Sequence, residues 1–96
     1  LGGAVFIRNV PIGQYAFCSC SSLTSISFPS SLKSIGQYAF CGCSSITQIT
    51  IPPSVISIGS FAFHKCSLLG RIFLPSSNGL NMQNNTIDQN VEVIKI

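Results

Sequence analysis

The phrase Ile-Gly-x-x-Ala-Phe occurs three times in this chain, beginning at Ile12, Ile35 and Ile58, with a constant period of 23 residues. A fixed period in the range of roughly 20 to 50 residues marks a solenoid or array. Each phrase is followed by a second one. It reads Leu23-x-x-Ile26-x-Phe28-Pro29, then Ile46-x-x-Ile49-x-Ile51-Pro52, then Leu69-x-x-Ile72-x-Leu74-Pro75. One repeat therefore has two halves, and both recur in step.

The second half predicts a strand. Side chains alternate along a strand, so Ile26 and Phe28 point inward while Ser25 and Ser27 point outward. Proline lacks the N–H a ladder needs and ends the strand. The first half predicts a sharp change of direction at the glycine, which tolerates positive φ, then a single helical turn directing Phe17, Phe40 and Phe63 inward. Such a turn is too short to persist alone and must be held by packing. Stacking the repeats sets equivalent strands about 4.8 Å apart in one parallel sheet. It also brings like residues together in columns: Leu23/Ile46/Leu69, Ile26/Ile49/Ile72, Phe28/Ile51/Leu74, Phe17/Phe40/Phe63 and Ile12/Ile35/Ile58. Each buried side chain of this kind contributes about 1.5–3 kcal/mol, so stacking is the main stabilising term.

The 96 residues are read as a single domain with repeats at about 12–34, 35–57 and 58–80 and a degenerate unit at 81–96. Ala4 to Ile7 resembles a strand of a preceding turn. From Asn78 to Thr86 the pattern lapses into what reads as a polar loop opposite the sheet. The strand phrase then resumes at Val91-x-x-Ile94-x-Ile96, with Ile94 in the place of Ile72. The chain is expected to be a piece of a longer array, because complete solenoids carry atypical capping units.

Composition narrows the function. Charged residues are 7% of the chain and apolar ones 46%, too apolar for a disordered segment. The net charge of +3 comes from scattered basic residues, and a nucleic-acid footprint needs them clustered. No apolar run approaches the roughly 18 residues of a membrane span.

The combined phrase Leu-x-x-Ile-x-Phe-Pro-x-x-Leu-x-x-Ile-Gly-x-x-Ala-Phe-x-x-Cys resembles the BspA-type leucine-rich repeat, closely over about 12–75 and loosely over 91–96. The resemblance implies a horseshoe segment with parallel strands on the concave face and short helical or irregular turns on the convex face. It also implies a non-catalytic surface protein, since members with an implicated function are mostly adhesins of bacteria and protists that bind host matrix proteins or cells.

The cysteines are the most reactive residues available. Cys18-x-Cys20, Cys41-x-Cys43 and His64-x-Cys66 recur at the repeat period. Three readings stand: packing thiols, a cross-turn disulfide, or a zinc site. Packing is favoured, because free Cys is a good small hydrophobe, five thiols cannot all pair, and Cys-x-Cys is not the usual zinc spacing. The outer column, Cys18/Cys41/His64, is expected to be the more exposed. His64 is read as a surface residue, since the repeat sets no nucleophile or carboxylate beside it. Asp88 and Glu92 are read as solvated charges. No cofactor or metal site is expected. Asn84-Asn85-Thr86 matches the glycosylation triplet, which makes Asn84 a candidate acceptor.

The remaining candidate is the outward side of the strands. Ser25, Ser27, Gln48, Thr50, Arg71 and Phe73 are the expected partner-binding residues, with Arg71 and Phe73 foremost, because Arg is a usual hot-spot anchor and Phe is enriched at interfaces. The expected function is protein or glycan binding at the cell surface or outside the cell. The alternative is an intracellular repeat docked into a larger assembly such as the cytoskeleton.

Overall fold

The computed structural model describes the chain except residues 1–2, 8–10, 77–78, 83–84 and 89, with Val5, Phe6 and Asn81 described in backbone only. Among the described residues there are eight short strands: β1 (Gly3–Phe6), β2 (Leu23–Ser27), β3 (Ser34–Ile35), β4 (Gln48–Thr50), β5 (Ser57–Ile58), β6 (Arg71–Leu74), β7 (Asn81–Met82) and β8 (Glu92–Lys95). Every pairing is parallel. The coils are numbered here by their phenylalanines: Phe17 in coil 1, Phe40 in coil 2 and Phe63 in coil 3.

The strands form three ribbons, β1-β2, β4-β6-β8 and β3-β5-β7. In β4-β6 the predicted stacking holds, with Ile49 beside Ile72. The second ribbon, β3-β5-β7, aligns Ile35, Ile58 and Met82, and a bridge adds Ile12. This column therefore runs through coils 1 to 3 and on into the degenerate unit. The core between the ribbons contains Leu23, Ile46, Leu69, Phe40, Phe63 and their neighbours, all buried.

Four expectations require correction. The first concerns the single sheet. No strand pairing joins β2 to β4, so the concave ribbon is interrupted between coils 1 and 2. A difference between coils falls at this seam: coil 1 carries Phe28 where coils 2 and 3 carry the buried Ile51 and Leu74. The Phe28 ring stands edge-on to Phe40 at 5.9 Å, and Phe28 is only half-buried.

The second concerns the convex segment, which is not helical. Its backbone donors alternate. In coil 2, Tyr38, Phe40 and Gly42 donate to Ser60, Ala62 and His64 of the next coil at 3.1, 2.8 and 2.8 Å. Between them, Ala39, Cys41 and Cys43 donate three residues back along their own coil, at 3.2 Å each. Coil 1 repeats the pattern from Tyr15 to Cys20. Tandem turns of this kind need left-handed backbone, and Tyr15, Tyr38 and Phe61 supply it at φ 58°, 58° and 59°. Aromatic residues rarely sit there. Stacking offsets the strain, since the Tyr15–Tyr38 and Tyr38–Phe61 rings lie 4.9 and 5.1 Å apart, nearly parallel.

The third concerns the repeat glycines. Gly36 and Gly59 are absent from the positive-φ positions. They are required by close approach instead: a Cβ on Gly59 would lie 2.6 Å from the Gln37 nitrogen.

The fourth concerns the degenerate unit. Asn81 and Met82 lie in β7, so the supposed polar loop includes a strand. Its pattern was hidden because only Met82 of this pair is apolar. In β8 the register is one residue from expectation, placing Val93 beside Ile72 and Ile94 beside Phe73. A one-residue slip exchanges the faces of a strand. Val93 is nonetheless 45% exposed: among the described strands, β8 has a partner on one side only.

Candidate functional site

The six predicted surface residues divide into two groups. Ser25 and Ser27 are exposed on β2, in the β1-β2 ribbon. Gln48, Thr50, Arg71 and Phe73 lie on the other side of the seam, where Gln48 pairs with Arg71 and Thr50 with Phe73. Gln48, Thr50 and Arg71 are exposed and Phe73 is half-buried. The structure thus brings together four of the six. It also adds two residues that were not foreseen as neighbours. Glu92 lies beside Arg71 and Ile94 beside Phe73, producing a polar row, Gln48-Arg71-Glu92, next to a mixed row, Thr50-Phe73-Ile94. The strand side ends in a hollow of about 310 Å³ lined by residues including Thr50, Pro52, Pro75 and Ile96. Asn84 lies outside the described residues. Thr86, the third residue of its triplet, is buried, and its hydroxyl donates to the Gly59 carbonyl at 3.1 Å.

The convex side holds the chemistry-bearing residues. Cys43 and Cys66 are buried, and their thiols donate to the carbonyls of Phe17 and Phe40 at 3.1 and 3.2 Å. Burial pushes Cys43 up to about 11 and Cys66 up to about 12, because a thiolate is poorly solvated there. These are packing thiols, as expected. The outer column of Cys18 and Cys41 is half-buried, also as expected, and the Cys18 thiol lies 3.7 Å from Ser19 Oγ.

The reading of His64 as having no carboxylate near it is corrected. Its Nδ1 lies 2.8 Å from Asp88 Oδ1, with both side chains one-third exposed. The other oxygen, Asp88 Oδ2, accepts from the Lys65 backbone N–H at 3.1 Å. Ser19 and Gly42, the equivalents of Lys65, donate instead to the carbonyls of Cys41 and His64 in the following coil. The Asp88 side chain therefore stands in for a backbone acceptor where the degenerate coil departs from the repeat. No periodic signal pointed to it, because Asp88 lies in the unit that had lost its pattern.

Cys41, His64 and Asp88 follow one another across three coils, an order that resembles nucleophile, base and orienting acid. The Cys41 pKa, however, is raised, first by burial and then by the neighbouring Cys18. An activated cysteine is shifted the other way. Among the described residues, no group of three or more His, Cys, Asp or Glu side chains is arranged to hold a metal.

The BspA type leucine rich repeat region, a pattern of six copies, matches residues 8–96. The chain belongs to the BspA-type leucine-rich repeat family. Three solved structures share this leucine-rich repeat solenoid. A T. pallidum leucine-rich repeat protein is 29% identical, with a TM-score of 0.69 over 98% of this chain and 52% of its own. A Bacteroides ovatus leucine-rich repeat protein is 23% identical, with a TM-score of 0.65 over 98% of this chain and 30% of its own. A leucine-rich cell surface protein of Faecalibacterium prausnitzii is 22% identical, with a TM-score of 0.70 over 96% of this chain and 31% of its own. This leucine-rich repeat chain thus spans about half or less of the length of each. No curated protein matches it. Among the described residues, no helix is long and apolar enough to cross a membrane.

Proposed function

We propose that this chain is a non-catalytic binding module that engages a protein or glycan through the outward side of β4, β6 and β8, at the cell surface or outside the cell. The observation that carries this reading is the pair of adjacent rows, Gln48-Arg71-Glu92 and Thr50-Phe73-Ile94. Hydroxyl, amide and guanidinium groups set the hydrogen-bonding pattern there, and Phe73 adds an apolar contact beside them. Arginine and aromatic residues supply much of the energy at binding surfaces. Ser25 and Ser27, across the seam, form an outlying part of the same face. The family supports an interaction role, and the F. prausnitzii relative, described as a cell surface protein, supports the location. The raised pKa of Cys41 argues against its serving as a nucleophile.

The test uses arrayed extracellular-matrix proteins and glycans. The chain is expected to bind at least one. The double variant Arg71→Ala/Phe73→Ala is expected to lose tenfold or more of that affinity, a change of about 1.4 kcal/mol, with an unaltered melting temperature. Undiminished binding by the double variant removes the proposed surface. Failure to bind any matrix protein or glycan, with capture of cytoskeletal protein instead, favours an intracellular assembly role.

A further inference from the structure

The cysteines of coils 1 to 3 differ in what they can do. Cys43 and Cys66 are buried and committed to carbonyl acceptors. Cys18 and Cys41 are half-buried and occupy equivalent places in adjacent coils, 23 residues apart. The backbone is fastened on both sides of Cys18: Phe17 donates to Ala39 at 2.7 Å, and Ser19 donates to Cys41 at 2.7 Å. Chains hydrogen-bonded in this parallel manner run about 4.8 Å apart. That spacing lies within the roughly 4.4–6.8 Å between Cα atoms that a disulfide spans.

We propose that Cys18 and Cys41 form a disulfide that fastens coil 1 to coil 2 when the chain meets a small-molecule disulfide. The thiolate of one cysteine attacks a sulfur of the reagent, forming a mixed disulfide and expelling one thiolate. The second cysteine, deprotonated, attacks the protein-bound sulfur and expels the other. The two cysteines give up two protons and two electrons in total, and the reagent is reduced to two thiols. The new bond falls at an informative place. β2 and β4 are unpaired on the concave side, so these coils are joined by the Ile12–Ile35 bridge and the convex ladder, and the disulfide fixes the convex side of the seam. This inference is independent of the proposed binding role.

The test incubates the chain with oxidised glutathione at about pH 8, where thiolate is accessible, and then counts free thiols in denaturant. The count is expected to fall from five to three, with no glutathione retained. Under non-reducing conditions the melting temperature is expected to rise by roughly 10 °C. The cross-link should survive Cys20→Ser and disappear in both Cys18→Ser and Cys41→Ser, at two half-buried positions. Five remaining thiols, separate glutathione adducts on Cys18 and Cys41, or a cross-link that persists in both serine variants would each overturn the proposal.

Discussion

Gly36 packs against the backbone of Gly13 so tightly that a β-carbon added to it would lie 2.6 Å from the Gly13 carbonyl carbon and 2.7 Å from the Gln14 nitrogen. Both obstacles are main chain, so they cannot swing aside. Gly36→Ala is expected to cost about 3 kcal/mol, at the upper end of ordinary overpacking. Gly13→Ala occupies the same place in the repeat, yet nothing lies within 4 Å of its added carbon. It should change stability by about 0.5 kcal/mol or less. Urea unfolding of the two variants decides the matter, and equal costs would show that coil contact is not what demands glycine.

Phe40 stacks on Phe17 at 5.2 Å and on Phe63 at 5.5 Å, with Phe28 edge-on. It is fully buried. Phe40→Ala is expected to cost about 3–5 kcal/mol and to unravel the stack, seen as loss of cooperative thermal melting. Phe17 is only half-buried, so Phe17→Ala should cost less.

Asp88→Ala removes acceptors from both His64 and the Lys65 N–H. Because both side chains are one-third exposed, solvent screens much of the interaction. The expected loss is about 1 kcal/mol. Amide exchange at Lys65 should accelerate, while the equivalent Gly42, which donates to a backbone carbonyl, stays protected. Unchanged exchange at Lys65 would refute the clasp.

The buried thiols give stability a dependence on alkaline pH. Their folded values, about 11 for Cys43 and about 12 for Cys66, lie above the ordinary 9.0. Below about pH 9 both states hold the proton and the contribution is constant. Above it the unfolded chain ionises first and binds fewer protons, so stability falls, by up to about 1.4 kcal/mol per pH unit for each thiol. Chemical denaturation between about pH 8 and pH 11 should show this decline. Cys66→Ala should flatten it, whatever its effect at neutral pH.

The repeat made much of this fold legible. Columns such as Ile49/Ile72 and Phe40/Phe63 follow from period alone, because identical coils placed in register must bring like residues together. What the sequence concealed lies where coils differ or where packing overrides local preference. Tyr38 at positive φ contradicts its own propensity and is held there by its ring neighbours and the next coil. Gly36 was legible as a necessary glycine, but the reason lay in a coil 23 residues away. The slipped register of β8 falls in the degenerate unit, where no internal copy exists to consult, and the gap between β2 and β4 falls where Phe28 departs from the Ile51 and Leu74 of the other coils. At the candidate surface, Arg71 and Phe73 were readable from strand alternation. Glu92 and Ile94 as their neighbours were not, since that depended on the slip. Asp88 joined His64 through a segment with no period to count.

The alternation of donors along the convex segment has an arithmetic consequence. Odd amides serve their own coil and even ones the next, so the segment from Tyr38 to Cys43 possesses a parity. Inserting or deleting one residue would hand each amide beyond it to the wrong acceptor, severing cross-coil and local bonds together. A change of two residues preserves the assignment. Length variants of this segment should therefore be accommodated only in even steps, as in a zip that closes again only when whole pairs of teeth are skipped.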